Sequence, residues 1–227
     1  PMVVELALRK SDALYTEIPM EGSEILAARN AMHRTDGQTL ADALPDDLEQ
    51  RLDTRLRSES AMLSVAALSN MKTWVVSTLV TLPPDNMTSQ ALDMRLYQYA
   101  KKAGKEVGGL ETAFEQMSYF DRFTATEQIR KLEESLSVYG RQDMNELMLQ
   151  WYLAGNVDNL TELMSKIAAP NADKALQDKF VQLLLTERNQ VMADRIDQKL
   201  KRHPDKEYFF AVGAGHLGGT ESIVSFL

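Results

Sequence analysis

The sequence contains no cysteine, which removes disulfides, thiolate catalysis and Cys-ligated zinc or iron–sulfur centres from consideration. Any metal ion has to be held by histidine, carboxylate or water. Histidine is scarce too, with three in 227 residues: His33, His203 and His216. The lack of cysteine does not fix the compartment, because a secreted domain of this size can fold without bridges. Positive charge is in deficit: 25 Lys plus Arg stand against 33 Asp plus Glu, a formal net charge of -8, with no basic stripe. Such a surface repels a phosphate backbone, so no nucleic-acid partner is expected.

Long apolar runs are also missing. The longest, Ala61 to Leu82, is broken by Ser64, Ser69, Asn70, Lys72, Thr73, Ser77 and Thr78, and is too polar to span a bilayer unaided. It reads as a buried or half-buried helix. The opening PMVVELALRKSD carries Glu5 and lacks a basic start with a long apolar core, so it does not read as a signal peptide. No low-complexity tract or regular array is present, which excludes solenoids and propellers.

What is present is 44% hydrophobic residues, enough for one good-sized core with a helical appendage. Val3 to Lys10 has helical spacing, and a helical pattern runs from Met20 to Ala103 with turns at RTDGQ and LPPDN. Two short runs with apolar, β-branched or aromatic character predict strands near 13–18 and 207–214, and KEVGGLE at 105–111 reads as another short strand. Pro19 closes the first. Residues 112–203 form an almost continuous helical lobe punctuated at Tyr139–Gly140, Gly155–Asn156 and Pro170–Asn171. The alternation predicts an α/β fold with a small, largely parallel sheet and a large helical lobe, in one domain.

Glu17, Glu111 and His216 each fall at or just past the carboxyl end of a predicted strand, the edge where open α/β sheets place a ligand crevice. Solvated strand ends and a turn histidine are the bland alternative. FFAVGAGHLGG surrounds His216 with Gly213, Gly215, Gly218 and Gly219, which allow positive φ and close approach. A neutral imidazole there can ligate a divalent ion or shuttle a proton. Gly219 and Thr220 are expected to start a helix whose amides favour an anion.

Four blocks in order, LYTEI at 14–18, GLETAFEQ at 109–116, ERNQVMADRI at 187–196 and GAGH at 213–216, resemble the TraB/GumN superfamily, nearest its Tiki-like members. The resemblance spans nearly the whole chain. It implies an α/β core with a helical insertion and, in the Tiki branch, a divalent-metal-dependent peptidase that trims the amino-terminal segment of secreted Wnt proteins. Carried onto this sequence, it implies His216 and Glu17 as metal ligands for Mn, Co or Zn. It implies Glu17, Glu111 and Arg188 as catalytic groups, with Glu111 chosen as base and Arg188 steadying an oxyanion or clamping a substrate carboxylate. Gly213 and Gly215 support His216, and Asn189 positions Arg188. A peptide or protein substrate and a secreted, periplasmic or cell-surface setting are implied with it.

One departure stands out. The family's first GxxH motif precedes the helix before Glu17, whereas this sequence starts in that helix and lacks a match; the family's further strand after Leu227 has none either. The domain is therefore expected to be incomplete at both ends. His33 and His203 lack the glycine pattern to substitute, and His203 before Pro204 reads as a helix end. A non-catalytic binding or regulatory domain is the second reading, and a partner groove in the methionine-rich lobe the third.

Other residues have plainer readings. LLLTERNQVMADRIDQKL is amphipathic, so Arg188 could equally be a surface group. Glu115 and Gln116 sit one turn beyond Glu111 and on a helix could reach the same crevice, with capping or surface roles as the favoured reading, and Trp74, Trp151, Tyr152 and the twelve methionines read as core. The sequons at Asn86 and Asn159 matter only in a eukaryotic secreted protein.

Overall fold

The computed structural model describes residues 2–81, 91–138, 142–160 and 173–227. Three parallel strands, β1 (Ala13–Thr16), β2 (Glu106–Gly109) and β3 (Tyr208–Ala211), form one sheet in the order β2-β1-β3. Each strand is shorter than its predicted run.

The register sets Ala13 opposite Glu106 and Tyr208, and Thr16 opposite Gly109 and Ala211. β1 is central and buried along its whole length. Its side chains alternate between two cores, as the period of a strand requires. Ala13 and Tyr15 pack with Met192, Ala193 and Ile196 of the helix Glu187–Arg202 and with Ile223 of the short helix Ile223–Phe226. Leu14 faces the other way, toward Leu8 of α1 (Met2–Lys10) and Tyr97 and Ala100 of α5 (Leu92–Lys102). The result is helices on both faces of a parallel sheet, as predicted for the α/β class.

A second core stands apart from the sheet. Leu48, Leu52 and Leu56 of α3 (Asp46–Glu59) meet Val76 of α4 (Thr73–Leu79) and Leu132 of α7 (Ala125–Val138). α2 (Gly22–Ala31) and α6 (Ala113–Asp121) pack against each other. α8 (Gln142–Ala154) and the helix Lys174–Val181 continue the lobe, and a π-helical turn, Gln182–Thr186, leads into Glu187–Arg202. That last helix ends the predicted helical stretch but packs on the sheet.

Two expectations change here. Ala61–Leu82 is not one helix: residues 61–72 form turns and only Thr73–Leu79 is helical, because the polar interruptions at Ser64, Ser69 and Asn70 favour turns over an unbroken ladder. Nor does a helix begin at Gly219 and Thr220; it begins at Ile223, and its first turn is capped by Ser222, which accepts from Ser225. Tyr152 is 54% exposed and Met62 87% exposed, whereas Trp74 is buried and stacks on Phe120 at 4.4 Å. The LPPDN turn, the Tyr139–Gly140 and Pro170–Asn171 breaks, Asn86 and Thr161 of the second sequon lie outside the described residues.

Candidate functional site

The β1–β2 ladder continues past the named strands: the Leu110 N–H donates to Thr16 O at 2.8 Å and the Glu111 N–H to Glu17 O at 2.7 Å. Glu17 and Glu111 are thereby set side by side at the carboxyl edge of the sheet. After β3 the chain bends into a 3-10 turn, Ala214–His216, which returns His216 toward the same edge. Gly213 makes this possible by close approach: its N–H donates to Glu17 Oε1 at 2.7 Å, and a Cβ there would sit 3.0 Å from that oxygen. Of the four glycines around His216, only Gly219 has positive φ, at 82°. The freedom expected of all four is used at one.

The fourth side chain comes from the helix Glu187–Arg202. Arg188 is 7% exposed, not the surface group its amphipathic surroundings allowed. Its Nε donates to Glu111 Oε2 at 3.0 Å and to Oε1 at 3.2 Å, and its Nη2 reaches Glu111 Oε2 and Glu17 Oε2, both at 2.7 Å. Nη1 donates to Leu184 O at 3.2 Å, a carbonyl of the π-helical turn one helical step earlier. Such wide turns recur where a helix has to aim a side chain. One guanidinium thus balances two carboxylates and is itself nearly fully engaged.

Asn189 does not position Arg188; it positions His216. Its Nδ2 donates to Glu221 O at 2.6 Å, which fixes the amide so that Oδ1 faces His216 Nδ1 at 2.6 Å. The reason is helical phase: adjacent residues point about 100° apart, so Asn189 faces the β3 loop while Arg188 faces the strand ends. Burial, followed by Arg188, outweighs the attraction of Glu17 and lowers the His216 pKa to about 4, so the ring is neutral at physiological pH. With Nδ1 donating to Asn189, Nε2 carries the bare lone pair.

That lone pair faces Glu17 Oε1 at 3.8 Å. Burial would raise the Glu17 pKa, but His216, Arg188 and the Gly213 amide together lower it, and the carboxylate is ionised. Two acceptor atoms therefore confront each other in a buried place. Donors of this kind at this separation fit a divalent cation with bonds of roughly 2.0–2.2 Å. They supply two ligands: among the described residues no group of three or more His, Asp or Glu is arranged to hold a metal ion.

Two further groups belong to the site's surroundings. Gln116 donates through Nε2 to Glu17 Oε2 at 3.0 Å, so of its two sequence readings the crevice one holds and the favoured capping or surface one does not. Asp93, in the first turn of α5, has its pKa raised by burial and then by Glu17, which places a third carboxylate within electrostatic reach. Glu115 caps α6 as expected, in a capping box with Thr112. His33 lies in an isolated bridge with Met71 and His203 caps the helix end, both away from this edge.

A parallel sheet whose carboxyl edge gathers a neutral histidine, a carboxylate pair and an arginine defines the α/β class with a polar crevice at the strand ends. The chain belongs to the TraB/PrgY/gumN family, which matches over residues 1–227. It is similar to Metalloprotease TIKI2 of Xenopus tropicalis, 24% identical over 273 residues, covering 100% of this chain and 52% of that protein. Metalloprotease TIKI1 of Danio rerio is 24% identical over 272 residues, covering 100% and 55%, and Metalloprotease TIKI1 of Homo sapiens is 23% identical over 267 residues, covering 97% and 53%. The chain spans about half the length of these relatives. No solved structure matches. Among the described residues no helix is long and apolar enough to cross a membrane.

Proposed function

We propose that the chain carries the site of a divalent-metal-dependent hydrolase, a Tiki-like peptidase acting on the amino-terminal segment of a secreted protein or peptide. The observation that carries this reading is His216 Nε2 facing Glu17 Oε1 at 3.8 Å, with Nδ1 committed to Asn189, Oε2 to Arg188, and Oε1 accepting from the Gly213 N–H with a second lone pair left for a cation. The relatives named as metalloproteases support it, as does family membership. A secreted, periplasmic or cell-surface setting goes with the proposal.

His216 and Glu17 would hold the ion, with manganese, cobalt or zinc as the candidates. A bound divalent ion polarises a carbonyl and lowers the pKa of water. Arg188 keeps Glu17 ionised and oriented, and Glu111 fixes Arg188; with both oxygens turned to the guanidinium, Glu111 is less suited to the base role the sequence assigned it.

Calorimetric titration of Mn²⁺, Co²⁺ and Zn²⁺ into the chain and its His216→Ala variant tests the reading, followed by a screen of quenched fluorescent peptides with Glu17→Gln as control. Binding that His216→Ala abolishes is the expected result. Metal binding indifferent to His216 would sink it. The presence of only two facing ligands among the described residues favours, as second reading, a non-catalytic binding or regulatory domain.

A further inference from the structure

On the far side of Glu111 a cleft of about 300 Å³ opens between the end of β2, the start of α6 and the helix Glu187–Arg202, lined among others by Leu110, Glu111, Glu115, Arg195, Lys199 and Arg202. Its cations sit at i, i+4 and i+7 of that helix and share one face. Charge does not balance there. Arg195 is spent on Glu115, with Nη2 at 2.7 Å from Oε1, and on Leu110 O at 2.6 Å. Glu111 is spent on Arg188.

Lys199 and Arg202 make no close ion pair among the described residues, and Glu106, which attracts Lys199, is itself paired with Lys206. The Lys199 ammonium lies 3.7 Å from the centre of the Tyr15 ring, which holds it at the cleft wall. Burial lowers its pKa, and Arg202 and Arg195 lower it further against the opposing pull of Glu106. Cations at a helix C-terminus are common, but a half-buried lysine with no close ion pair, beside an arginine that has none either, leaves donors free at the cleft wall for an incoming anion. On a chain of formal charge -8 this is a local excess of positive charge.

We propose that this cleft is a substrate subsite for an acidic residue, in which Lys199 and Arg202 receive the side-chain carboxylate of a peptide lying past Glu111. The inference rests on the hydrolase reading for the word substrate, but its test does not need metal or turnover. The probes are acetyl-Gly-Glu-Glu-Gly-amide, the same peptide with Gln for Glu, and inorganic phosphate. Each is titrated at low salt while the backbone amides of Leu110, Thr112 and Lys199 are followed by NMR.

The acidic peptide is expected to bind about tenfold more tightly than its Gln counterpart, the effect of one charge-assisted contact, and to weaken as salt rises. Lys199→Gln with Arg202→Gln should remove that preference without altering the melting curve, and Lys199→Arg should retain it. His216→Ala should leave it intact, so loss of metal binding and loss of the subsite are separable. Equal binding of the two peptides, indifference to the double substitution, or capture of phosphate alone would each overturn the proposal.

Discussion

Arg188 places a single nitrogen, Nη2, 2.7 Å from Glu111 Oε2 and 2.7 Å from Glu17 Oε2, so one buried proton donor separates two carboxylates. The arrangement makes its members unequal. Removing the cation leaves two carboxylates facing each other in a buried site, whereas neutralising one carboxylate leaves a balanced pair.

Arg188→Gln is therefore expected to destabilise the fold by about 3–5 kcal/mol, the cost of breaking a buried ion cluster. Glu111→Gln should cost distinctly less. In the double variant the loss should be smaller than the sum, with a coupling of about 1–3 kcal/mol. Urea unfolding of the four proteins measures this directly; additive losses would show that the residues do not act as one cluster.

The Asn189–His216 contact carries a different expectation. With Asn189→Ala the Nδ1 proton loses its acceptor, and the neutral ring can move its proton to Nε2 and close off the lone pair that faces Glu17. Metal affinity should fall by about 10–100-fold, the usual effect of losing a partner behind a ligating histidine. Nitrogen NMR of the imidazole reads the tautomer without metal, and calorimetry reads the affinity; an unchanged tautomer would contradict the assignment.

The α/β class and the three strands were legible because short apolar runs bounded by Pro19, by glycines and by helical periodicity have few other readings. The convergence of Glu17, Glu111 and His216 followed from strand-end positions alone. What stayed hidden depends on rotation and distance. Asn189 follows Arg188 in the chain, yet helical phase hands it to His216. Helical spacing from Glu111 put Gln116 within reach of the crevice, but its bond to Glu17 needs the β1–β2 pairing that the sequence does not show. The Ala61–Leu82 run misled because apolar content was read without weighing its serines and asparagine as turn formers.

Gly109 bears on how Glu111 is aimed. A Cβ at this position would meet Pro19 Cδ at 2.3 Å, Pro19 N at 2.6 Å and Glu111 O at 2.8 Å, two of them backbone atoms that cannot swing away. Gly109→Ala should cost at least about 1–3 kcal/mol through forced backbone shifts. It should also loosen the Arg188–Glu111 fork, although residue 109 touches neither charge. A melting temperature equal to that of the parent would show that the loop yields freely.

Acid should weaken the fold through Glu115. Its hydrogen bond from Arg195, aided by the Thr112 amide and opposed by partial burial, lowers the Glu115 pKa from 4.5 to about 2. The folded value lies below the unfolded one, so its contribution is fully present above pH 4.5 and is lost as pH falls toward 2. The Glu115 side chain is 41% exposed and solvent screens the pair, so the contribution is no more than about 1 kcal/mol. Glu115→Gln keeps the capping geometry and removes only the charge. The variant should be slightly less stable than the parent at neutral pH, and the gap should close as pH falls through that window; a gap that stays constant would place the effect in the cap and not in the Arg195 pair.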